Sequence, residues 1–236
     1  MAKVESIGPW WSLTKFSIHR AEARLPRGRL RMRAACTLVL LLTAGGTLAA
    51  TAAPAAPAQD RILRAEITVP APVADVWAAW TTDAGIATFF APEGHVDLRV
   101  DGTYDVWFNP KGKPGERGAE GMRILDVDPL KRFAFTWNAP PPIPSIRGRR
   151  TVVVLDFAPA GEKATRLRFT QWGWGEGADW DKAFDYFDQA WGGFVLPSLI
   201  HRFEVGPMDW TKDVPIKPLP GSMKQALVGE SKPPAH

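Results

Sequence analysis

Residues with reactive side chains are scarce in this chain. It has one cysteine, Cys36, and four histidines among 236 residues. With one cysteine, no disulfide can form within the chain. The histidines that follow residue 60 are far apart, and none has the spacing of a metal site. No serine stands in a Gly-x-Ser-x-Gly elbow, which argues against nucleophilic hydrolysis. We therefore expect neither a metal nor a cofactor.

An excess of basic charge is absent from most of the chain. The whole sequence carries a net charge of +4, but eight of its 29 Lys and Arg residues lie in residues 1–59. The remainder contains 21 basic and 23 acidic residues, a net charge of −2. A protein that binds nucleic acid displays a basic surface. We therefore expect no nucleic-acid partner.

Charged residues are missing altogether from residues 34–58. This stretch follows Met32-Arg33 and has an apolar centre at Cys36–Leu42, and its end is rich in alanine. That order is typical of a secretory signal peptide. We predict a signal peptide at 32–58, followed by periplasmic or extracellular location. The protein would then have no stable membrane insertion.

Two alternatives concern the same N-terminal region. Cleavage after Ala52 and cleavage after Ala58 fit the small-residue rule equally well. An uncleaved anchor is the rival interpretation, because about 20 apolar residues can span a bilayer. Residues 1–31 match neither role, and we interpret them as a non-native extension ahead of a true start at Met32.

Hydrophobic periodicity predicts a single α+β domain over residues 59–207. A first strand is followed by two short helices, six antiparallel strands and one long helix at about 180–204. The predicted sheet is curved, has about seven strands and wraps around the long helix. Asp101-Gly102 predicts a tight hairpin, and Pro197 predicts a bend in the helix. The proline-rich tail, 208–236, is expected to lack fixed structure except where residues 208–210 dock.

Several motifs in this domain resemble one protein family. They are AEITVPAPVADVWAAW at 65–80, LDVDP at 125–129, FTW at 135–137, VVVLDF at 152–157, TRLRFT at 165–170 and the helix at 186–207. Together they resemble the SRPBCC superfamily (START/Bet v 1-like), in the branch of the activator of Hsp90 ATPase homologue 1. The resemblance implies a helix-grip fold with an apolar cavity between the sheet and the long helix. Members bind lipids, sterols, hormones or polyketides, some catalyse reactions on them, and one cytosolic group stimulates a chaperone ATPase.

Residues on the inward faces of the predicted strands and helix are the candidates for lining that cavity. They are Tyr104, Phe108, Glu120, Met122, Phe133, Phe135, Trp137, Leu167, Phe169, Gln171, Phe187, Trp191 and Val195. A polar group on an apolar wall needs a partner or orients a ligand. If Glu120 is buried, its pKa would rise toward that of a general acid or base. No catalytic residue is predicted.

Two further features complete the prediction. The run WGWGEG at 172–177 is interpreted either as a lid over the cavity or as an ordinary loop. His201 is expected near the end of the long helix, where a positive charge is favourable.

Three functions remain open. The first is an exported binding protein whose partner is a small apolar molecule. The second is an enzyme of the polyketide cyclase or dehydratase kind, with Tyr104 and Glu120 as acid–base groups. The third is a chaperone-activator-like interaction module.

Overall fold

The computed structural model describes residues 61–226, which form two antiparallel sheets and one long helix. The strands are β1 (Arg61–Val69), β2 (Glu93–Val96), β3 (Tyr104–Trp107), β4 (Gly118–Ala119), β5 (Ile124–Asp128), β6 (Arg132–Asn138), β7 (Arg150–Pro159), β8 (Thr165–Trp172) and β9 (Lys224–Ala226). The helices are α1 (Val73–Thr81), α2 (Asp83–Ile86), α3 (Ala178–Ala190) and α4 (Leu196–Glu204), with a 3-10 turn at Pro144–Ile146.

The predicted α+β class, with an antiparallel sheet on a long C-terminal helix, is confirmed. Six strands form one sheet in the order β5-β6-β7-β8-β1-β9, and β2-β3-β4 form a second sheet. A single bridge between Thr103 and Arg123 links the two sheets. The sequence predicted one sheet of about seven strands, whereas the structure has two sheets.

The predicted N-terminal extension and signal peptide lie outside the described residues. Within residues 61–226, none of the helices has the length and apolar character needed to cross a bilayer.

The tight hairpin predicted at Asp101-Gly102 is wrong. β2 already ends at Val96, which pairs with Tyr104, so residues 97–103 form a longer loop. The alternation continues through this loop, but Leu98 and Val100 are 40% and 56% exposed. The backbone at 101–102 pairs with Ile124 instead of extending the hairpin. The alternation of apolar residues does not reveal whether another part of the protein packs on them, and here Leu98 and Val100 stay exposed.

The strand predicted at 120–127 is interrupted at its start. Gly121 has φ +70°, and its N–H donates to Asp105 Oδ1 over 2.7 Å. This turn separates β4 from β5. Met122 is fully buried, whereas Glu120 is only partly buried. The two side chains therefore do not share the inward face that strand alternation predicted.

The long helix contains one turn of different geometry. α3 and α4 are joined without a break by a π-helical turn at Trp191–Val195, where the Leu196 N–H donates to Trp191 O. The π-helical turn lies just before Pro197, the position at which the sequence predicted a bend, because proline lacks the N–H that an α-helical turn requires. His201 lies in the last turn of α4.

Aromatic side chains make up much of the buried core. Tyr104, Phe133 and Phe135 are fully buried, with ring centroids 4.4 to 5.3 Å apart. Interiors packed at this density leave few voids larger than a water molecule. At Tyr104, Phe133 and Phe135, which were predicted to line the cavity, the rings are therefore packed into the core.

The tail prediction is wrong for residues 211–226. The predicted docking at 208–210 is present, since the Trp210 indole N–H donates to Ala87 O over 2.7 Å. The chain continues in contact with the domain, Met223 is buried, and β9 pairs with β1. Proline-rich composition suggested disorder, but backbone hydrogen bonds and one buried methionine hold the segment in place. Residues 227–236 lie outside the described part.

Candidate functional site

One cleft of about 50 Å³ opens between the end of β6 and the π-helical turn. We call it the cleft. Its walls are mostly aromatic and small side chains, and it is partly open to solvent. The lining residues are Phe90, Phe108, Gly118, Ala119, Trp137, Asn138, Pro140, Pro141, Tyr186, Phe187, Ala190, Trp191 and Val195.

Small residues make the space in the cleft. Ala119 on β4 and Ala190 at the end of α3 both line it and are buried. Gly118 has φ +150°, and a Cβ there would lie 2.4 Å from Val106 O. A side chain at position 118 would therefore collide with the neighbouring strand. Local geometry keeps this part of the wall free of bulk.

Large aromatic rings form the floor of the cleft. The Phe90 ring lies 5.7 Å from Trp137, 5.6 Å from Trp191 and 5.8 Å from Phe108. Trp137 and Trp191 are 5.4 Å apart. Offset and edge-on aromatic pairs at such distances are mutually stabilising. The floor is therefore apolar and offers ring faces to a guest.

A short chain of hydrogen bonds orients one of these rings. The Trp191 indole N–H donates to Gln171 Oε1 over 2.8 Å, and Gln171 Nε2 donates to Thr151 Oγ1 over 2.8 Å. The Thr151 hydroxyl donates to Trp137 O over 3.2 Å. Because all three side chains are buried, each partner is costly to remove. Gln171 thus positions Trp191 and does not itself line the cleft.

Tyr104 lies away from the cleft and has a structural partner. Its hydroxyl donates to Trp80 O over 3.1 Å. Complete burial raises the pKa of Tyr104 well above its ordinary value, so the phenol stays neutral. The structure gives this residue no access to a guest in the cleft.

Glu120 belongs to an ionic cluster beside the cleft. Its carboxylate accepts from Arg117 Nε over 2.8 Å and lies 3.9 Å from Arg147 Nη2. Burial raises the pKa of Glu120. Hydrogen bonds from the backbone of Gly115, and from the side chain and backbone of Arg117, outweigh burial and hold the pKa below its ordinary value. The sequence predicted a raised pKa only if Glu120 were buried, and the structure buries it only in part. Glu120 is therefore a poor proton donor near neutrality.

Arg147 ties together two segments that line the cleft. Its guanidinium donates to Gly118 O over 2.6 Å and to Gly115 O over 2.8 Å. It also donates to the carbonyl of Ala139, directly before the two lining prolines. Charge-assisted bonds of this kind are among the stronger ones in proteins. Arg147 therefore sets the separation of the β4 wall and the proline loop.

Tyr186 is the one phenol on the cleft wall. Burial raises the pKa of its hydroxyl, and the positive charge of Arg147 lowers it by less. The group is therefore a neutral hydrogen-bond donor at physiological pH, next to an apolar space.

Five of the thirteen predicted cavity residues line the cleft: Phe108, Trp137, Phe187, Trp191 and Val195. The other eight lie elsewhere: Tyr104, Glu120, Met122, Phe133, Phe135, Leu167, Phe169 and Gln171. Apart from Glu120, these eight are buried in the filled core. Sequence reasoning missed eight lining residues: Phe90, Gly118, Ala119, Asn138, Pro140, Pro141, Tyr186 and Ala190. Tyr186 and Ala190 were detectable, since they lie four residues apart and form the row of the helix next to Phe187 and Trp191.

The WGWGEG segment does not cover the cleft. Trp174 packs on Phe184 with ring centroids 5.0 Å apart, and its indole N–H donates to Gln171 O over 3.3 Å. A Cβ at Gly175 would meet the Trp180 ring at 2.3 Å. This close packing lines a separate open surface hollow, so the structure supports the loop interpretation rather than the lid.

No group of three or more His, Cys, Asp or Glu side chains within residues 61–226 is arranged to hold a metal ion. The chemistry that the cleft offers is therefore that of apolar surfaces, ring faces and a few polar edges.

Comparison with solved structures finds similar folds at low identity. The Aha1 dimer from Colwellia psychrerythraea is 23% identical, with 61% of this chain and 97% of that chain covered and a TM-score of 0.47. CalU16 from Micromonospora echinospora is 21% identical, with 63% and 78% covered and a TM-score of 0.46. An Hsp90 activator from Plasmodium falciparum is 16% identical, with 61% and 94% covered and a TM-score of 0.44.

A search of curated protein sequences finds no match. The family model described as "Activator of Hsp90 ATPase homolog 1-like protein" matches residues 70–199. That range is more than half of the 236-residue chain, and it runs from the end of β1 into α4. The chain therefore belongs to the family of activator of Hsp90 ATPase homologue 1-like proteins, within the SRPBCC superfamily.

Proposed function

We propose that this protein binds a small apolar molecule, one ring or chain end of which enters the cleft. The observation that carries the proposal is the cleft itself. In this cleft Gly118, Ala119 and Ala190 stand opposite large aromatic rings, and space remains between them. Binding pockets for small molecules are typically concave and mostly apolar, with a few polar groups that fix orientation. Tyr186 and Asn138 are the polar residues that line this cleft.

The size of the cleft limits what enters it. A cavity of roughly 150 Å³ holds one benzene, and pockets for whole ligands measure about 300–1,000 Å³. The cleft measures about 50 Å³, so a guest larger than a few atoms requires its walls to separate. The wall segments suited to this are the proline loop and the π-helical turn, since π turns often occur at functional sites.

A filling substitution tests the proposal. Ala190→Leu places a larger side chain in the cleft, and Gln189→Leu adds the same side chain at the neighbouring exposed position. The wild-type protein and Gln189→Leu should both gain melting temperature with at least one of palmitate, 2-naphthol and menadione. A ligand at 100 times its Kd stabilises by about 2.7 kcal/mol. Ala190→Leu should lose this gain. Equal responses of all three proteins, or no response in any, contradict the proposal.

The enzyme hypothesis loses the acid–base pair on which it depended. Tyr104 donates to a backbone carbonyl in the core, and Glu120 is held by two arginines. Neither residue lines the cleft, so the geometry favours binding over acid–base catalysis by this pair.

A second candidate function is protein interaction of the kind that the family description names. The observation in its favour is the small size of the cleft, which measures about 50 Å³. Its test is the ATPase rate of purified Hsp90 with and without the full-length chain. A rise in that rate, combined with unchanged melting temperatures across the ligand panel, would replace the first proposal with this one.

Export is part of the first proposal. It is supported by the charge-free stretch 34–58 behind Met32-Arg33. N-terminal sequencing of the native protein should find a chain that begins at Ala53 or Gln59. A chain that begins at Met1 or Met32 contradicts cleavage. Finding that uncut chain in the soluble cytosolic fraction would contradict export and leave open a cytosolic chaperone partner.

A further inference from the structure

The segment 206–226, which we call the strap, contacts separate parts of the domain. Near its start, the Met208 N–H donates to Thr88 O over 2.8 Å, and Trp210 Nε1 donates to Ala87 O. Further along, the Leu219 N–H donates to Gly192 O over 2.8 Å. The strap then ends as β9 on the edge of β1. Its bonds therefore reach the α2 region, the π-helical turn and the sheet.

The bond to Gly192 replaces one that the helix cannot make. In an α-helix, Gly192 O would accept from the Leu196 N–H, but that group donates to Trp191 O instead. In π geometry its donor would be residue 197, which is a proline and has no N–H. A buried carbonyl without a donor is costly. The strap supplies the missing donor through Leu219.

Met223 packs closely against Gly192. A Cβ at Gly192 would lie 3.1 Å from the Met223 sulfur, and Met223 is buried. Asp188, one turn earlier on α3, accepts from the Met223 N–H over 2.6 Å and from the Ser222 hydroxyl over 2.7 Å. The helix thus provides the hydrogen-bond acceptor and the space that the end of the strap occupies.

The strap joins two elements that form the floor of the cleft. Ala87 and Thr88 precede Phe90 in the chain, and Gly192 directly follows Trp191. Phe90 and Trp191 both line the cleft, with ring centroids 5.6 Å apart. A strap bound at both places restrains the separation of these two rings. Its attachment therefore bears on the width of the cleft.

We propose that the strap controls access to the cleft, closed when docked and widened when released. This inference rests on the proposed function, because it concerns the regulation of the same site. When Leu219 leaves, Gly192 O has no donor, and the turn between Trp191 and Val195 must rearrange or take up water. With Trp210 also released from Ala87, the Phe90 segment and the helix are free to move apart. A guest larger than about 50 Å³ then enters.

The test uses full-length variants that remove single donors. Leu219→Pro removes the N–H that Gly192 requires, and Trp210→Phe removes the indole N–H but keeps an aromatic ring. Lys217→Pro is the matched control, since it adds the same residue at an exposed position whose N–H makes no hydrogen bond within residues 61–226. The readouts are hydrogen exchange of amides 87–91 and 190–196 and the Kd for 2-naphthol.

Leu219→Pro and Trp210→Phe should speed exchange in both amide groups and tighten 2-naphthol binding. Loss of one neutral hydrogen bond corresponds to roughly a 2- to 10-fold change. Lys217→Pro should match the wild type.

The two proposals fail in different ways. Unchanged exchange at 87–91 and 190–196 in both variants overturns the strap mechanism, whatever 2-naphthol does. Faster exchange with unchanged or weaker 2-naphthol binding in the variants also overturns it. Faster exchange combined with no binding of palmitate, 2-naphthol or menadione to any protein, wild type included, overturns the proposed function and leaves only the mechanical coupling.

Discussion

Two parts of the aromatic core contain the same kind of side chain and pack differently. Around Tyr104, Phe133 and Phe135, fully buried aromatic rings pack against one another. Around Trp137 and Trp191, equally large rings face alanine and glycine, and a cleft of about 50 Å³ results. The comparison shows that small residues, rather than aromatic ones, decide where this domain is open. An abundance of tryptophan and phenylalanine does not by itself indicate a cavity.

The largest expected effect comes from truncating a ring in the filled part. Phe135→Ala should lower the free energy of unfolding by about 3–5 kcal/mol, because it leaves a void in a rigid core. The same truncation at the half-buried Phe108, on the cleft wall, should lower it by clearly less. Urea unfolding of both variants measures the difference. Equal losses would show that the two regions do not differ in packing.

Next in size is the hydrogen-bond chain that positions Trp191. Gln171→Leu leaves the Trp191 indole N–H and the Thr151 hydroxyl without this partner. Stability should fall by about 1–3 kcal/mol, the cost of unsatisfied buried groups. Adding Trp191→Phe removes one orphaned donor and should be less harmful in the Gln171→Leu background than in the wild type. A double-mutant cycle in urea measures this coupling, and strict additivity would argue against it.

A smaller loss of stability is expected when an alanine in each region is replaced by a larger side chain. Ala91 is fully buried in the filled core, so Ala91→Leu should overpack and destabilise by about 1–3 kcal/mol. Ala119 lines the cleft, and Ala119→Leu should cost less because space is available. Thermal unfolding compares them. A greater loss from Ala119→Leu would mean that the cleft is not free space for a side chain.

The smallest expected effect is a pH dependence beside the cleft. The folded-state pKa of Glu120 lies below its ordinary value of 4.5. Its ion pairs therefore stabilise the fold above that value, and this contribution disappears as pH falls through the folded-state pKa. Glu120→Gln should be less stable than the wild type at pH 7, and the difference should shrink in acid. Urea unfolding over a pH series checks this, and a constant difference would contradict the ionic role.

Local patterns predicted much of the fold. The alternation of apolar residues predicted the strands corresponding to β1 and β6 to β8, because each has one face on the core. The aromatic stripe at 184–195 predicted the helix, and Pro197 predicted its irregular turn. The same reasoning failed at Leu98 and Val100, which alternate like a strand but have no neighbour to cover them. It also failed at Glu120, where Gly121 turns the chain.

The sequence by itself determined the charge distribution, the α+β class, the position of the long helix and the aromatic character of its inner face. These follow from residues that are close in sequence. Only the tertiary structure decided where the interior is open, that Arg147 holds Glu120 and two wall segments, and that Leu219 completes a turn which Pro197 leaves short of a donor. Each of these depends on groups that folding brings together from distant positions in the sequence. The periodicity of hydrophobic residues is a local pattern and does not predict such long-range contacts.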